Sequence, residues 1–140
     1  MIALPVLLPL FTGILNLLAW RAVRLQKIFS LLGATLQLGA GLWLLLNVQH
    51  NGIQHLQVGS WPAPFGIVLV ADLFSAIMVT VAAIVALAVA VYSIGAIDLR
   101  RAQVGYYALF FFLLMGVNGA FLTGDLFNLY VWFEVMLMAS

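Results

Sequence analysis

Apolar residues in this chain fall in long blocks, without the strict alternation of a half-buried strand or the one-sided stripe of a soluble helix. A transmembrane helix needs about 20 predominantly apolar residues to cross a hydrocarbon core of about 30 Å. Uncharged runs of that length are Ile2 to Trp20, Ile28 to Asn47, a third within Ile67 to Ile97, and Val104 to Thr123. They predict helices over about 2–20, 28–47, 70–94 and 104–123. A fifth run, 126–140, has 15 residues. At about 1.5 Å per residue it reaches only about 22 Å, short of the far leaflet. The expected architecture is an all-α polytopic transmembrane bundle in one domain, 1–140, with four complete helices and a truncated fifth.

The blocks are joined by polar punctuation. The longest stretch holds Gln49, His50, Asn51, Gly52, Gln54, His55 and Gln57 before Trp61-Pro62-Ala63-Pro64-Phe65-Gly66. Proline removes backbone donors and favours extended neighbours, so Trp61 to Gly66 reads as an irregular or short hairpin segment, with Trp61 and Phe65 at headgroup level. Two histidines without a third ligand make a poor metal site, and His50 and His55 read as solvated loop residues. The alanines at 82, 86 and 90 form a stripe of small side chains that lets membrane helices approach closely, which predicts a bundle; frequent use of alanine in such helices explains the same spacing.

Composition strengthens this picture. The chain is 66% hydrophobic and 6% charged, where soluble domains carry about 25% charged residues. Its mean hydropathy is +1.23. The bilayer is therefore the expected solvent. A net charge of +1 offers no clustered basic face for nucleic acid. The absence of cysteine excludes disulfides, thiolate metal sites and thiol catalysis. No phosphate-binding glycine loop, metal-spaced histidine pair or Ser/His/Asp set is present, and no cofactor is implied. The first apolar run does not read as a secretory signal, because its first cation, Arg21, follows the run and the run is too long.

Lys and Arg in short loops mark the cytoplasmic side. Arg21, Arg24 and Lys27 lie in the first loop and Arg100 and Arg101 in the third, whereas the second and fourth loops have none. This predicts an external N-terminus, an external loop over 48–66, and a fifth helix that starts outside.

Three of the four acidic residues sit near predicted helix ends. Asp98 beside Arg100 and Arg101 reads as a solvated turn, Asp125 after Gly124 as a helix N-cap, and Asp72 as interfacial or facing a polar interior. Glu134 differs. It lies about 12 Å into the core, flanked by Val131, Trp132, Phe133, Val135, Met136 and Leu137. An acidic residue near the midplane costs about 2.5–3.5 kcal/mol on insertion scales and commonly serves an ion path or proton relay. The alternative is a protonated Glu bonded to another helix, or to Tyr130 one turn earlier. All five cations lie in the two cytoplasmic loops, so Asn118 and Asn128 are the nearest polar company for Glu134.

The run from Gly124 to Ser140, with Phe127-Asn128-Leu129-Tyr130-Val131-Trp132-Phe133-Glu134-Val135-Met136-Leu137 at its centre, resembles the fifth helix of the antiporter-like family. That family comprises the A-type and D-type subunits of Mrp-type multisubunit sodium/proton antiporters and the related proton-pumping subunits of respiratory complex I and membrane-bound hydrogenases. Trp61 to Ile67 and Ala71-Asp72-Leu73-Phe74-Ser75-Ala76 agree with it, and the form looks most like the D-type subunit. The resemblance implies the N-terminal part of a larger subunit. It implies that Glu134 is the key carboxylate of the first half-channel, pairing with a lysine on a later helix. The implied activity is Na+/H+ antiport by a hetero-oligomer of antiporter subunits in a bacterial or archaeal plasma membrane, with lipid, Na+ and H+ as its other partners. The alternatives are a proton-pumping subunit of a complex I-like oxidoreductase or hydrogenase, or an inert fragment.

Overall fold

The structure is a computed structural model that describes residues 2–58 and 66–140. In chain order its elements are α1 (Leu4–Leu18), α2 (Val23–Asn51), β1 (Gln54–Gln57), β2 (Val68–Ala71), α3 (Leu73–Ala96), α4 (Leu99–Gln103), α5 (Tyr106–Leu122) and α6 (Leu126–Ala139). The five longer helices form the bundle. Helix α2 packs against α1 and α3, α5 against α1 and α3, and α6 against α5.

The bundle turns on a proline. Pro5 occupies the first turn of α1, where its missing N–H would be unpaired anyway. Pro9 lies inside the helix and cannot donate to the Pro5 carbonyl one turn earlier. In lipid such a carbonyl must find a donor within the protein. It finds two: Gln37 Nε2 of α2 donates at 3.1 Å and Asn118 Nδ2 of α5 at 2.9 Å. Both side chains are fully buried. One broken helical hydrogen bond thus ties three helices together.

Further polar contacts follow the same seam. Asn16 Nδ2 donates to the Thr12 carbonyl and Ser30 Oγ to Asn16 Oδ1, while Gln26 Nε2 reaches the Ala19 and Trp20 carbonyls at the end of α1. The α2 residues involved, Gln26, Ser30 and Gln37, share one buried face with Gly33, Ala34, Gly41, Leu44 and Val48. Within that buried set, Ala34 packs with Ala86 and Ala90 of α3 and with Phe111 and Leu114 of α5, and Ala82 borders this cluster. The alanine stripe is therefore a helix-packing face. Gly41 completes it, since a Cβ there would meet the Thr80 backbone at 3.2 Å.

The chain is mostly helical, as expected, and adds one short antiparallel hairpin that pairs Gln54 with Ala71 and Gln57 with Val68. Val70 and its neighbours are β-branched or apolar and Leu69 and Ala71 are buried, so the strand behaves as the lid of one core cluster. The stretch Trp61 to Phe65 lies outside the described residues. The span count also changes: by length and apolarity α2 and α3 are long enough to cross a membrane, while α1, α5 and α6 are shorter apolar helices. Gly105 precedes α5 with a positive φ of 99°, and Asp125 caps the start of α6.

Each end of the bundle has its own tie. Lys27 Nζ, near the start of α2, donates to the Ile94 carbonyl near the end of α3 at 2.6 Å. At the other end Gly124 N donates to the Val68 carbonyl at 2.7 Å, joining the hairpin to the turn before α6.

The proline account makes a sharp prediction. Replacing both amides, Gln37→Leu with Asn118→Leu, strands the Pro5 carbonyl and costs about 1–3 kcal/mol. Adding Pro9→Ala supplies a peptide N–H to that carbonyl and recovers part of the loss, read by reversible unfolding in mixed detergents. The absence of any recovery would contradict the account.

Candidate functional site

Helix α6 starts where the sequence supplies a cap. Asp125 Oδ1 accepts from Asn128 N at 2.6 Å, Asn128 Nδ2 donates to Thr123 Oγ1 at 2.9 Å, and Asp125 Oδ2 lies 3.5 Å from the Val68 peptide nitrogen. Asn128 is buried by this work. Its amide closes the turn and does not accompany Glu134. Asn118 likewise belongs to the Pro5 junction, so the expected polar company of Glu134 is corrected for both residues: Asn118 serves the Pro5 carbonyl of α1 and Asn128 the turn that starts α6.

Two glycines set how closely α6 lies on α5. A Cβ at Gly116 would meet Met136 Cγ at 2.7 Å, and one at Gly119 would collide with the Trp132 ring. Small residues of this kind allow membrane helices to pack backbone to ring. This contact fixes the rotation of α6. Trp132 turns toward the bundle, and Glu134, two residues on, is exposed.

Glu134 faces an open groove of about 340 Å³ between α5 and α6. The other lining residues are Leu109, Phe112, Met115, Val131, Val135, Met138 and Ala139, all apolar. A carboxyl group held among such neighbours can exchange a proton or bind a cation only if a further polar group reaches the groove. Tyr130, 61% exposed, stands one turn earlier on α6. The rest of this face is also open, with Leu126, Phe127, Phe133, Leu137 and Met138 exposed.

The other candidates lie elsewhere. Asp72 heads α3 in a capping box: Ser75 N donates to Asp72 Oδ1 at 2.7 Å and Asp72 N donates to Ser75 Oγ at 2.9 Å. The Ser75 peptide N–H, and then its hydroxyl, hold the Asp72 carboxyl below the usual aspartate range. Asp72 and Asp125 are thus structural caps at the hairpin end, and Glu134 stands about 13 Å along α6 from Asp125. The structure does not gather the four candidates into one site. His50 and His55 are exposed, as expected, but the loop expectation is corrected, since His50 lies in the last turn of α2 and His55 in β1; among the described residues no group of three His, Asp or Glu could hold a metal. Sequence reasoning passed over Gly116 and Gly119, whose three-residue spacing inside an apolar run was the available signal.

No protein-family model matches the chain. Curated relatives do. It is 46% identical over 140 residues to the D-type subunit of the Na+/H+ antiporter of Alkalihalophilus pseudofirmus and 43% identical over 139 residues to that of Bacillus subtilis. It is 54% identical over 84 residues, 60% of the chain, to the D-type subunit of a probable K+/H+ antiporter of Rhizobium meliloti, 15% of whose length is covered. The first two matches cover 100% and 99% of the chain but 28% of each relative, so the chain spans little more than a quarter of their length. Among solved structures, a chain of the Mrp complex from Dietzia is 33% identical with a TM-score of 0.81, matched over 99% of this chain and 25% of its own. A chain of an archaeal membrane-bound sulfane sulfur reductase is 29% identical with a TM-score of 0.89, over 99% and 28% respectively.

The α5–α6 contact and the cap of α3 can each be tested. Cysteines at positions 116 and 136 crosslink readily in membranes, and Gly119→Val removes most of that crosslinking by displacing Trp132; unchanged crosslinking would show that the glycine does not set the approach. Asp72→Ala lowers stability by about 1 kcal/mol at neutral pH. Because the folded carboxyl has a lowered pKa, its stabilisation is complete above the unfolded value of about 3.9 and fades as pH falls through the folded value. The gap between wild type and variant in thermal unfolding should therefore close only in strong acid.

Proposed function

We propose, from homology along the whole chain to D-type antiporter subunits, that the protein is part of a monovalent cation/proton antiporter in the plasma membrane of a bacterium or archaeon. It works beside other antiporter subunits, with Na+ and H+ as the exchanged ions. Its helices cross the bilayer with the N-terminus and hairpin outside and Arg21, Arg24, Lys27, Arg100 and Arg101 inside, as the distribution of cations favours. The contacts of Lys27 with Ile94 and of Gly124 with Val68, at the two ends of the bundle, are compatible with this arrangement.

Glu134 carries the proton in this reading. The observation behind it is its position as the one ionisable residue, among the described residues, in the apolar groove between α5 and α6. Protonated, it is neutral and stable there; ionised, it needs a cation or donor, and the open face of α6 is where further polypeptide of the larger subunit supplies one. Ion exchange follows if the two states of the carboxyl are coupled to occupancy of that neighbouring positive group. Asp72, Asp125 and Tyr130 have supporting roles, the first two by holding the ends of α3 and α6.

A second reading rests on the higher TM-score to the sulfane sulfur reductase chain: a proton-translocating membrane subunit of a complex I-like respiratory complex. The sequence identities favour the antiporter, since the matches at 46% and 43%, over 100% and 99% of this chain, are both to antiporter subunits. The inert-fragment reading gives the opposite result in the same assay.

In everted vesicles containing the assembled complex, Glu134→Gln should abolish Na+-induced changes of internal pH, and Glu134→Asp should retain a fraction of the activity. Full activity in Glu134→Gln would contradict the assignment. Pumping driven by a respiratory donor, with no Na+-driven exchange, would favour the second reading.

A further inference from the structure

The Pro5 junction holds more polar capacity than its hydrogen bonds use. Gln37 and Asn118 each spend their amide N–H on the Pro5 carbonyl, and Gln37 Oε1 and Asn118 Oδ1 are left buried without a partner. Exchanging oxygen and nitrogen in either amide does not help. It would aim an oxygen at the Pro5 carbonyl oxygen and leave the N–H groups unpaired, so some buried polar atoms remain unmet in every orientation.

The missing donor must also be small. Gln37 and Asn118 have no exposed surface. A further helix laid on the outside of this bundle could not reach their oxygens without separating α1, α2 and α5. The chain's own cations lie at the start of α2, just before it and in α4, at the end of the bundle where Lys27 meets Ile94. A metal cation fits poorly, because the amide N–H groups already point into the junction and no carboxylate among the described residues is joined to it by a hydrogen bond. Water fits: it donates two hydrogen bonds, accepts others, and is the usual partner of buried polar groups left over by packing.

We propose that the junction of Pro5, Gln37 and Asn118 is a built internal hydration site, holding ordered water within the membrane part of the protein and away from the Glu134 groove. Pro9 creates it by freeing the Pro5 carbonyl, which draws an amide from α2 and one from α5 inward and leaves the oxygen of each buried without a donor. The site is independent of the transport reading, since none of its groups titrates.

The test uses the full-length protein in lipid nanodiscs. A map at a resolution where ordered water is visible should show a water-sized peak at hydrogen-bond distance from Gln37 Oε1 or Asn118 Oδ1. Radiolytic hydroxyl labelling should modify the Pro5–Pro9 segment although it is buried, and Gln37→Leu with Asn118→Leu should reduce that labelling several-fold while Glu134→Gln leaves it unchanged. An empty junction in the map, or both amide oxygens accepting from protein donors, would overturn the proposal. So would labelling of Pro5–Pro9 at the background level of other buried segments. If the double variant does not fold, the wild-type map and labelling decide alone.

Discussion

A carbonyl that loses its helical donor inside lipid has no bulk water to turn to, and this constraint organises the bundle. Pro9 removes the donor to the Pro5 carbonyl, and the two amides that replace it come from α2 and α5. Hydrophobic burial cannot order helices in a membrane, because lipid is as apolar as leucine. Position is therefore set by the junction, by the Asn16–Ser30 contact, and by close approaches at Gly33, Gly41, Gly116 and Gly119. Helix α6 hangs from α5 at the end of this chain of constraints, and the orientation of Glu134 is its consequence.

Much of the plan was legible in the sequence. Block-like hydropathy marked where the helices lie, and the alanines at 86 and 90 marked a packing face that the structure fills with Ala34 and Phe111. Asp125 read as an N-cap because acid after glycine before an apolar run has that chemistry, and the structure shows it accepting from Asn128 N.

Other features needed three dimensions. Gln54 to Gln57 is polar and without strong strand preference; it becomes a strand because β2, with Leu69 and Ala71 buried, offers it an edge. Asn118 and Asn128 looked like company for Glu134 because all three share an apolar neighbourhood in sequence. Which polar group an asparagine meets depends on helix rotation, and here the partners are Pro5 and Thr123. Pro9, Gln37 and Asn118 were each visible as irregularities in apolar runs, but their convergence joins residues up to 113 positions apart.

The central claim is that Glu134 exchanges a proton within the membrane as the cation is exchanged. Infrared difference spectroscopy of the assembled complex, with and without Na+, tests it most directly. The account predicts a carboxyl C=O band that shifts or disappears on adding Na+ and that is absent from Glu134→Gln. A Na+-induced carboxyl signal unchanged in Glu134→Gln, or none in the active wild-type complex, would contradict it.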